Sequence, residues 1–239
     1  MQPATSKAIL LIADISGFTR FMRLHRMAIS HAKQIVVRLL QSIISASTPP
    51  LTLAELEGDA AFFYALSAGE KDLPQTLAAV KTQIPQFFRS FYQALYQTRD
   101  LRLCVCEACM RVEELRLKIV MHAGDIAIAR IEKFEKLFGL DVILVHRLLK
   151  NPLPAREYIL MTREVYRQLD GFHELQPEKC RVDCEGIGRV ETLVFYPPPE
   201  LTGLPSTPVA ATPPSLWHKL RWIAQLDWGF LRSLLPGRQ

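Results

Sequence analysis

Residues 8–19 read AILLIADISGFT, an apolar run that ends at an acidic residue and a glycine-containing turn. The six apolar residues Ala8–Ala13 have the length and composition of a buried strand. Asp14 closes the run, and the turn after it leads into a helical pattern. A carboxylate at the end of a buried strand can hold a divalent cation, and free N–H groups of the turn can hold phosphates. The alternative is that Asp14 only caps the helix.

A strand pair is predicted next, with Leu51–Glu57 and Ala60–Leu66 on either side of Gly58-Asp59. Helical spacing leads up to it as far as about Ser47, and a further helix is predicted after it. Asp59 at the tip of this hairpin is either an ordinary turn residue or a second metal ligand. The second interpretation requires that its strand lies beside the strand that ends at Asp14.

The rest of the pattern continues to alternate helices with strands. A helix is predicted over 73–97 with a kink at Pro85, and a second hairpin joins 115–121 to 126–131 around Gly124-Asp125. Short helices over 141–150 and 163–169 and a last strand over 190–196 follow. This interleaving predicts an α/β (α+β) fold with a largely antiparallel sheet flanked by helices.

Composition excludes several classes of protein. The chain has 239 residues, of which 49% are hydrophobic and 22% charged, so it is not a disordered chain. No apolar run reaches the roughly 18–20 residues that a membrane-spanning helix needs, and the first apolar run does not resemble a signal peptide. Five cysteines without a secretion signal predict reduced thiols, and hence a cytoplasmic protein.

The C-terminal part differs from the body. All three tryptophans lie in residues 217–228, and seven of the sixteen prolines lie in residues 197–214. Residues 216–239 carry four of the Lys and Arg residues and one Asp, so they supply three of the five net positive charges. The nearly neutral body argues against nucleic-acid binding. We therefore expect a domain over 1–196, a Pro-rich linker over 197–215, and an amphipathic Trp-rich helix over 216–239.

The predicted C-terminal helix has an apolar side and an arginine-bearing side. Tryptophans near arginines suit the headgroup region of an anionic bilayer, so residues 216–235 are predicted to bind a membrane surface, at the inner face of the cell membrane, or a partner. The alternative is that this helix folds back onto its own domain or pairs within a dimer.

Five motifs, in order, resemble those of class III adenylate and guanylate cyclases. They are LIADISGFT (11–19), EGDA (57–60), LKIVMHAG (117–124), LFG (137–139) followed by Val142 and Arg147, and EGIG (185–188). The run LFGLDVILVHRLLKN (137–151), with the Cys-rich insertion at about 100–112, resembles a bacterial subfamily of these domains, the DUF2652 type.

The resemblance implies a ferredoxin-like βαββαβ domain that forms a homodimer, with its sites across the dimer interface. Asp14 and Asp59 match the two aspartates that bind Mg²⁺ or Mn²⁺. Gly17 and Phe18 match the loop around the triphosphate. Glu55 falls at a purine-selecting position and favours GTP over ATP, since a carboxylate can accept from guanine N1–H and N2–H₂; the alternative is an outward-facing strand residue.

The same resemblance shows departures at the positions that stabilise the transition state. Arg147 matches the transition-state arginine of the family. The family's asparagine is Ile143 here, and its lysine falls in a turn that offers Glu185 and Ile187. The second purine-selecting position is Lys136, which matches neither usual choice.

The cysteines suggest a further metal. Cys104, Cys106 and Cys109 are close enough to ligate Zn²⁺, with Cys180 or Cys184 as a fourth ligand. The alternative is a set of buried thiols without metal. His122, in the middle of a predicted strand, is expected to be a core histidine with satisfied hydrogen bonds.

Three functions are consistent with these residues. The favoured hypothesis is a weakly catalytic or non-catalytic signalling module that binds a purine nucleoside triphosphate and a divalent metal. The first alternative is an active cyclase that forms cyclic GMP or cyclic AMP. The second is a structural interaction domain that binds no nucleotide.

Overall fold

The computed structural model describes residues 5–24, 29–101, 110–169 and 171–203. The strands are β1 (Ser6–Ser16), β2 (Thr52–Glu57), β3 (Ala60–Leu66), β4 (Arg116–Ile131), β5 (Phe134–Phe138), β6 (Tyr158–Thr162), β7 (Glu178–Cys184) and β8 (Gly188–Phe195). The helices are α1 (Phe18–Leu24), α2 (Ile29–Ala46), α3 (Leu73–Leu101), α4 (Leu140–Leu149), α5 (Arg163–Arg167) and α6 (Pro199–Thr202).

The main sheet has the strand order β2-β3-β1-β4-β6-β8-β7, and β5 pairs with the far end of β4. The β4–β6 pair is parallel and the other pairs are antiparallel. The predicted α/β (α+β) fold with a largely antiparallel sheet is therefore confirmed.

Strand β1 lies between β3 and β4 and is covered on both faces, which explains its unbroken apolar sequence. Ile9, Leu11 and Ala13 face the core formed with α2 and α3. Leu10 and Ile12 face the opposite core, which includes residues of α4. Because side chains alternate along a strand, the next residue on the α4 side after Ile12 is Asp14. The buried strand β1 thus positions the carboxylate of Asp14 at the end of the sheet.

The predicted hairpin around Gly124-Asp125 is wrong. Strand β4 runs without interruption from Arg116 to Ile131, and the chain reverses at Glu132 and Lys133 before β5. Gly124 is not in a turn: a Cβ atom there would lie 2.1 Å from Cγ of Asp141. The glycine makes room for a side chain of α4, and a single sequence does not distinguish this use from a turn.

The other predicted elements are observed with small shifts at their ends. The hairpin at Gly58-Asp59 is confirmed, and Pro85 lies inside α3. Strands β5, β6 and β7 were not predicted. β6 is five residues long, and β7 has charged residues on its exposed face, so neither has a strong strand pattern.

The first part of the predicted linker packs on the domain. α6 contacts α3, with Leu201 and Thr202 buried. The remainder of the linker, the predicted helix over 216–239, and Cys104, Cys106 and Cys109 lie outside the described residues. Within the described part of the chain, no helix combines the length and the apolar character that crossing a membrane requires.

Candidate metal and nucleotide site

Two aspartates that are 45 residues apart in the sequence lie at the same end of adjacent strands. In the β1–β3 ladder Asp14 is opposite Ala60, the residue after Asp59. The carbonyl oxygen of Asp59 accepts a hydrogen bond from the Ile15 N–H at 3.1 Å. The structure therefore meets the condition that the sequence left open, that the two strands are neighbours.

Lys118 lies beside this pair on β4, in register with Asp14. Its Nζ is 3.0 Å from Oδ2 of Asp14, and both side chains are largely buried. The motifs assign Lys118 no role, and alternation along LKIVMHAG only groups it with Val120 and His122 on one face of its strand.

Burial is the main influence on the charge of both carboxyl groups. It raises the pKa of Asp14, and the neighbouring Lys118 ammonium partly opposes this. Burial raises the pKa of Asp59 to about 6, with a further contribution from the negative charge of Asp14. The two carboxyl groups thus have one neighbouring ammonium group, that of Lys118, so when both are ionised one negative charge is not balanced.

This donor set fits a divalent cation. Mg²⁺ is commonly held by one or two carboxylates, with water and substrate phosphates completing its shell. Across the described ranges no cluster of three or more His, Cys, Asp or Glu side chains is suited to a metal. An ion at Asp14 and Asp59 would therefore take its other ligands from water and phosphate.

The turn after β1 positions the start of α1 next to Asp14. Gly17 has a φ of +91°, which disfavours other residues, and its carbonyl accepts from the Phe21 N–H at 2.9 Å. Phe18 begins α1 and packs against the core. The predicted phosphate loop and the predicted metal ligands thus lie at one end of the sheet.

The two residues at the purine-selecting positions contact each other. Nζ of Lys136 on β5 is 2.5 Å from Oε2 of Glu55 on β2. Each side chain is about half exposed. The resemblance assigned these positions separately and did not predict that they would form an ion pair.

Arg147 also has an acidic partner within the chain. Its Nη1 is 2.8 Å from Oε2 of Glu185, in the turn between β7 and β8. Ile143, one turn earlier on α4, is 51% exposed. The helix that would supply transition-state groups thus presents an exposed apolar side chain and a guanidinium that is already paired.

His122 anchors the start of α4 to the middle of the sheet. Its two ring nitrogens lie 3.1 Å from Oγ1 of Thr162 and 2.9 Å from Oδ1 of Asp141. Oδ2 of Asp141 accepts from the Asp125 N–H at 2.7 Å. The hydrogen bond from His122 is the main reason that the pKa of Asp141 is lowered.

The prediction of a satisfied core histidine is therefore confirmed. Asp141 was not predicted to take part. It precedes the apolar part of α4 and resembles an ordinary acidic residue in the first turn of a helix.

Two of the five cysteines are described. Cys180 is half-buried, Cys184 is buried, and both are free thiols. Because the other three lie outside the described residues, the zinc site stays a prediction.

Solved structures with the same architecture place the chain in a class of folds. It is similar to the adenylyl cyclase CyaB from P. aeruginosa, with a TM-score of 0.64 and 15% identity over 83% of this chain and 97% of that chain. It is also similar to a class III adenylyl cyclase-like ATP-binding protein from Pseudomonas aeruginosa, with a TM-score of 0.54 and 16% identity over 69% of this chain and 35% of that chain. The fold is therefore that of the class III cyclases.

The sequence comparisons identify the family within this class. Residues 36–158, more than half of the chain, match the family model described as "Protein of unknown function (DUF2652)". The uncharacterized protein Rv2561/Rv2562 of Mycobacterium tuberculosis (strain ATCC 25618 / H37Rv) is 34% identical over 201 residues, covering 84% of this chain and 89% of that protein. The chain belongs to the DUF2652 family.

Proposed function

We propose that this protein is a divergent cyclase-like signalling module that binds a purine nucleoside triphosphate together with Mg²⁺ or Mn²⁺. The observation that carries the proposal is the pair of carboxylates at Asp14 and Asp59, which the fold brings together beside the Gly17-Phe18 turn. The raised pKa of Asp59 indicates a site that gains stability from an added cation.

The bound cation would screen the phosphate charge, and the protein would hold it through Asp14 and Asp59. Because Lys118 already contacts Asp14, we expect its ammonium to move from Asp14 towards the phosphates when the cation binds. Protonation of Asp59 near pH 6 competes with cation binding, so affinity should fall as the pH drops below this value.

The Glu55–Lys136 ion pair offers an acceptor and a donor side by side. A carboxylate can accept from guanine N1–H and N2–H₂ while the ammonium donates to guanine O6. Adenine can use the same two groups through N6–H₂ and N1, with one fewer donor towards the carboxylate. We therefore propose that GTP binds more tightly than ATP.

The residues of α4 favour weak or absent cyclase turnover over an active cyclase. Ile143 cannot donate or accept a hydrogen bond, and Arg147 is partly neutralised by Glu185. Each missing polar stabiliser of a transition state costs on the order of 10²–10³ in rate. The alternative of an active cyclase requires that Glu185 releases Arg147 and that another group replaces the family's asparagine.

A homodimer is part of the proposal. Seven apolar side chains on β2, on the β4–β5 hairpin and at the start of α4 are at least 39% exposed: Leu56, Ile128, Ile131, Phe134, Phe138, Leu140 and Ile143. We take them as candidate interface residues, since exposed apolar surface can mark a protein interface. A second copy of the chain is the partner that the class III fold suggests.

Calorimetry tests the nucleotide proposal. Full-length protein should bind GTP with Mn²⁺ and bind it much more weakly in EDTA, and Asp14→Asn or Asp59→Asn should remove the Mn²⁺ dependence. Asp183→Asn, an exposed aspartate on β7, is the matched control and should behave as wild type. Equal Mn²⁺-dependent affinity in wild type and the Asp14→Asn/Asp59→Asn double variant would overturn the proposal.

Product analysis of the same samples separates binding from catalysis. We expect little cyclic nucleotide from wild type and, if a trace is present, an increase of about tenfold in Ile143→Asn. Rapid turnover by wild type that is lost in Asp59→Asn would favour the active-cyclase alternative.

Association of residues 216–235 with an anionic membrane surface is proposed from the sequence pattern alone. Flotation with anionic vesicles tests it: wild type should float and a chain ending at Pro214 should not. If both remain in the soluble fraction at low salt, this part of the proposal is wrong.

A further inference from the structure

A cavity of about 710 Å³ lies between α5 and the strands β7 and β8, away from the strands that carry the aspartate pair. Its volume is within the range of small-molecule sites, roughly 300–1,000 Å³. Strands β6 and β4 separate β8 from β1 in the sheet. At about 4.8 Å per strand, β8 lies about 14 Å from the strand that carries Asp14.

Four basic side chains line this cavity. Arg163 and Arg167 are four residues apart on α5 and therefore share one side of that helix. Lys179 and Arg181 are two residues apart on β7 and therefore share one face of that strand. All four are exposed, so their charges are available to a ligand.

Among the described residues of the lining, Glu191 is the one acidic side chain. It forms an ion pair with Arg163, and one of its carboxylate oxygens is 4.0 Å from Nη2 of Arg181. The hydrogen bond from Arg163 is the main reason that the pKa of Glu191 is lowered, and the positive charges of Arg181 and Arg167 lower it further. The described part of the lining therefore carries four positive charges against one negative charge.

Among the described residues, two of these four cations have no direct acidic partner. In the part of the chain that the structure describes, neither Arg167 nor Lys179 has an acidic group within ion-pair distance. Like charges held close together repel, and an anion between them removes this repulsion. An otherwise nearly neutral body thus concentrates positive charge in one concave site.

The floor of the cavity is apolar. Leu193 is buried there, and the half-buried ring of Tyr166 packs on Phe195 with 5.7 Å between ring centroids. Cations at the rim and an aromatic ring with a leucine beneath suit a ligand that joins an anionic group to an apolar body. The chain's own C-terminal part is a poor occupant, because residues 216–239 carry a net charge of +3 from four Lys and Arg residues and one Asp.

We propose that this cavity binds a small organic phosphate that carries at least two negative charges, without a divalent metal. Arg167 and Lys179 hold the phosphate oxygens, since guanidinium and ammonium groups form charge-assisted hydrogen bonds with them. Tyr166 and Leu193 contact the organic part. This site is separate from the triphosphate site at Asp14 and Asp59, and its ligand is free to differ from the one bound there.

Titration calorimetry of the full chain in EDTA tests the site, with inorganic pyrophosphate and guanosine 5′-diphosphate as probes. Both should bind, the nucleoside diphosphate more tightly, and Arg167→Gln/Lys179→Gln should weaken both by about tenfold or more. Lys71→Gln/Lys150→Gln removes two exposed lysines elsewhere and should change nothing. Asp14→Asn/Asp59→Asn should also leave this binding intact, which separates it from the proposed function.

Failure of both probes to bind in EDTA would overturn the proposal. It would also be overturned if Lys71→Gln/Lys150→Gln weakened binding as much as Arg167→Gln/Lys179→Gln. Diphosphate binding no tighter than pyrophosphate would overturn the role of the apolar floor. If neither probe binds but flotation with anionic vesicles depends on Arg167 and Lys179, these basic residues contact a membrane and the proposal is wrong. Thermal unfolding of each variant checks that these surface substitutions leave the fold intact.

Discussion

The Arg147 guanidinium donates to the Glu185 carboxylate at 2.8 Å and so links α4 to the turn before β8. The motif comparison places Arg147 at a position for contacting phosphate, and Glu185 at a position where the family has a lysine-containing turn. In this chain the two groups partly neutralise each other. A negatively charged ligand has to compete with Glu185 for the arginine.

Glu185→Gln should therefore strengthen Mn²⁺-dependent GTP binding, by about three- to tenfold, because Arg147 loses a competing charge. The control is Glu200→Gln, an exposed glutamate on α6, which should leave the affinity unchanged. Calorimetry measures both. Unchanged affinity in Glu185→Gln would mean that Arg147 does not face the bound nucleotide.

Stability should depend on pH through Asp59. Its pKa is raised from 3.8 to about 6 in the folded state, so the folded protein binds a proton that the unfolded chain releases between these values. The free energy of unfolding should accordingly fall as the pH rises from about 4 to about 6. Asp59 is partly exposed, so solvent screening reduces the effect to about 1 kcal/mol.

Asp59→Asn should remove part of this fall, and it should be more stable than wild type at pH 8 but not at pH 4. Urea denaturation across this range measures the difference, with Asp183→Asn as a control that follows wild type. Adding Mn²⁺ at pH 8 should stabilise wild type and leave Asp59→Asn nearly unchanged. A parallel pH dependence in the two proteins would contradict the environment described for Asp59.

The exposed hairpin of β4 and β5 should control association. Ile131 and Phe134 are 55% and 59% exposed, so Ile131→Ser/Phe134→Ser removes apolar surface without disturbing the core. We expect this variant to be monomeric by light scattering where wild type is dimeric. Val37→Ser/Leu66→Ser, which changes two exposed apolar residues on α2 and β3, is the matched control and should remain dimeric.

Gly124→Ala should be strongly destabilising because its Cβ would overlap the carboxyl group of Asp141 at 2.1 Å. We expect a loss of about 2–4 kcal/mol, since α4 must shift and His122 loses a partner. Asp141→Ala in the same chain should recover part of the loss, which a double-mutant cycle would show as a favourable coupling. Gly58→Ala, where no atom lies within 4 Å, should cost only the strain of its positive φ.

Much of the fold could be predicted because β1 has an unmistakable pattern. Its apolar sequence predicted a buried strand, and the order of the motifs predicted the sheet around it. The adjacency of Asp14 and Asp59 could be stated as a requirement but not established, because register depends on the partner strands. The hairpin predicted at Gly124-Asp125 failed because glycine next to aspartate is also a turn signal.

The contacts between side chains were the least predictable part of the site. Lys136 and Glu55 are 81 residues apart and join only because β5 folds back beside β2. Arg147 and Glu185 meet in the same way, across 38 residues. A single sequence shows which charges are present, but the pairing is set by how the strands are arranged.

Residue 124 is a glycine, and this has a consequence for comparing related sequences. Because the Asp141 carboxyl group fills that space, positions 124 and 141 are expected to vary together rather than independently. A relative with a larger residue at the first position should have a small one at the second, and its histidine at the position of His122 would need a new partner. Sorting relatives by the residues at positions 124 and 141 should separate those that keep the contact between His122 and the start of α4 from those that lack it.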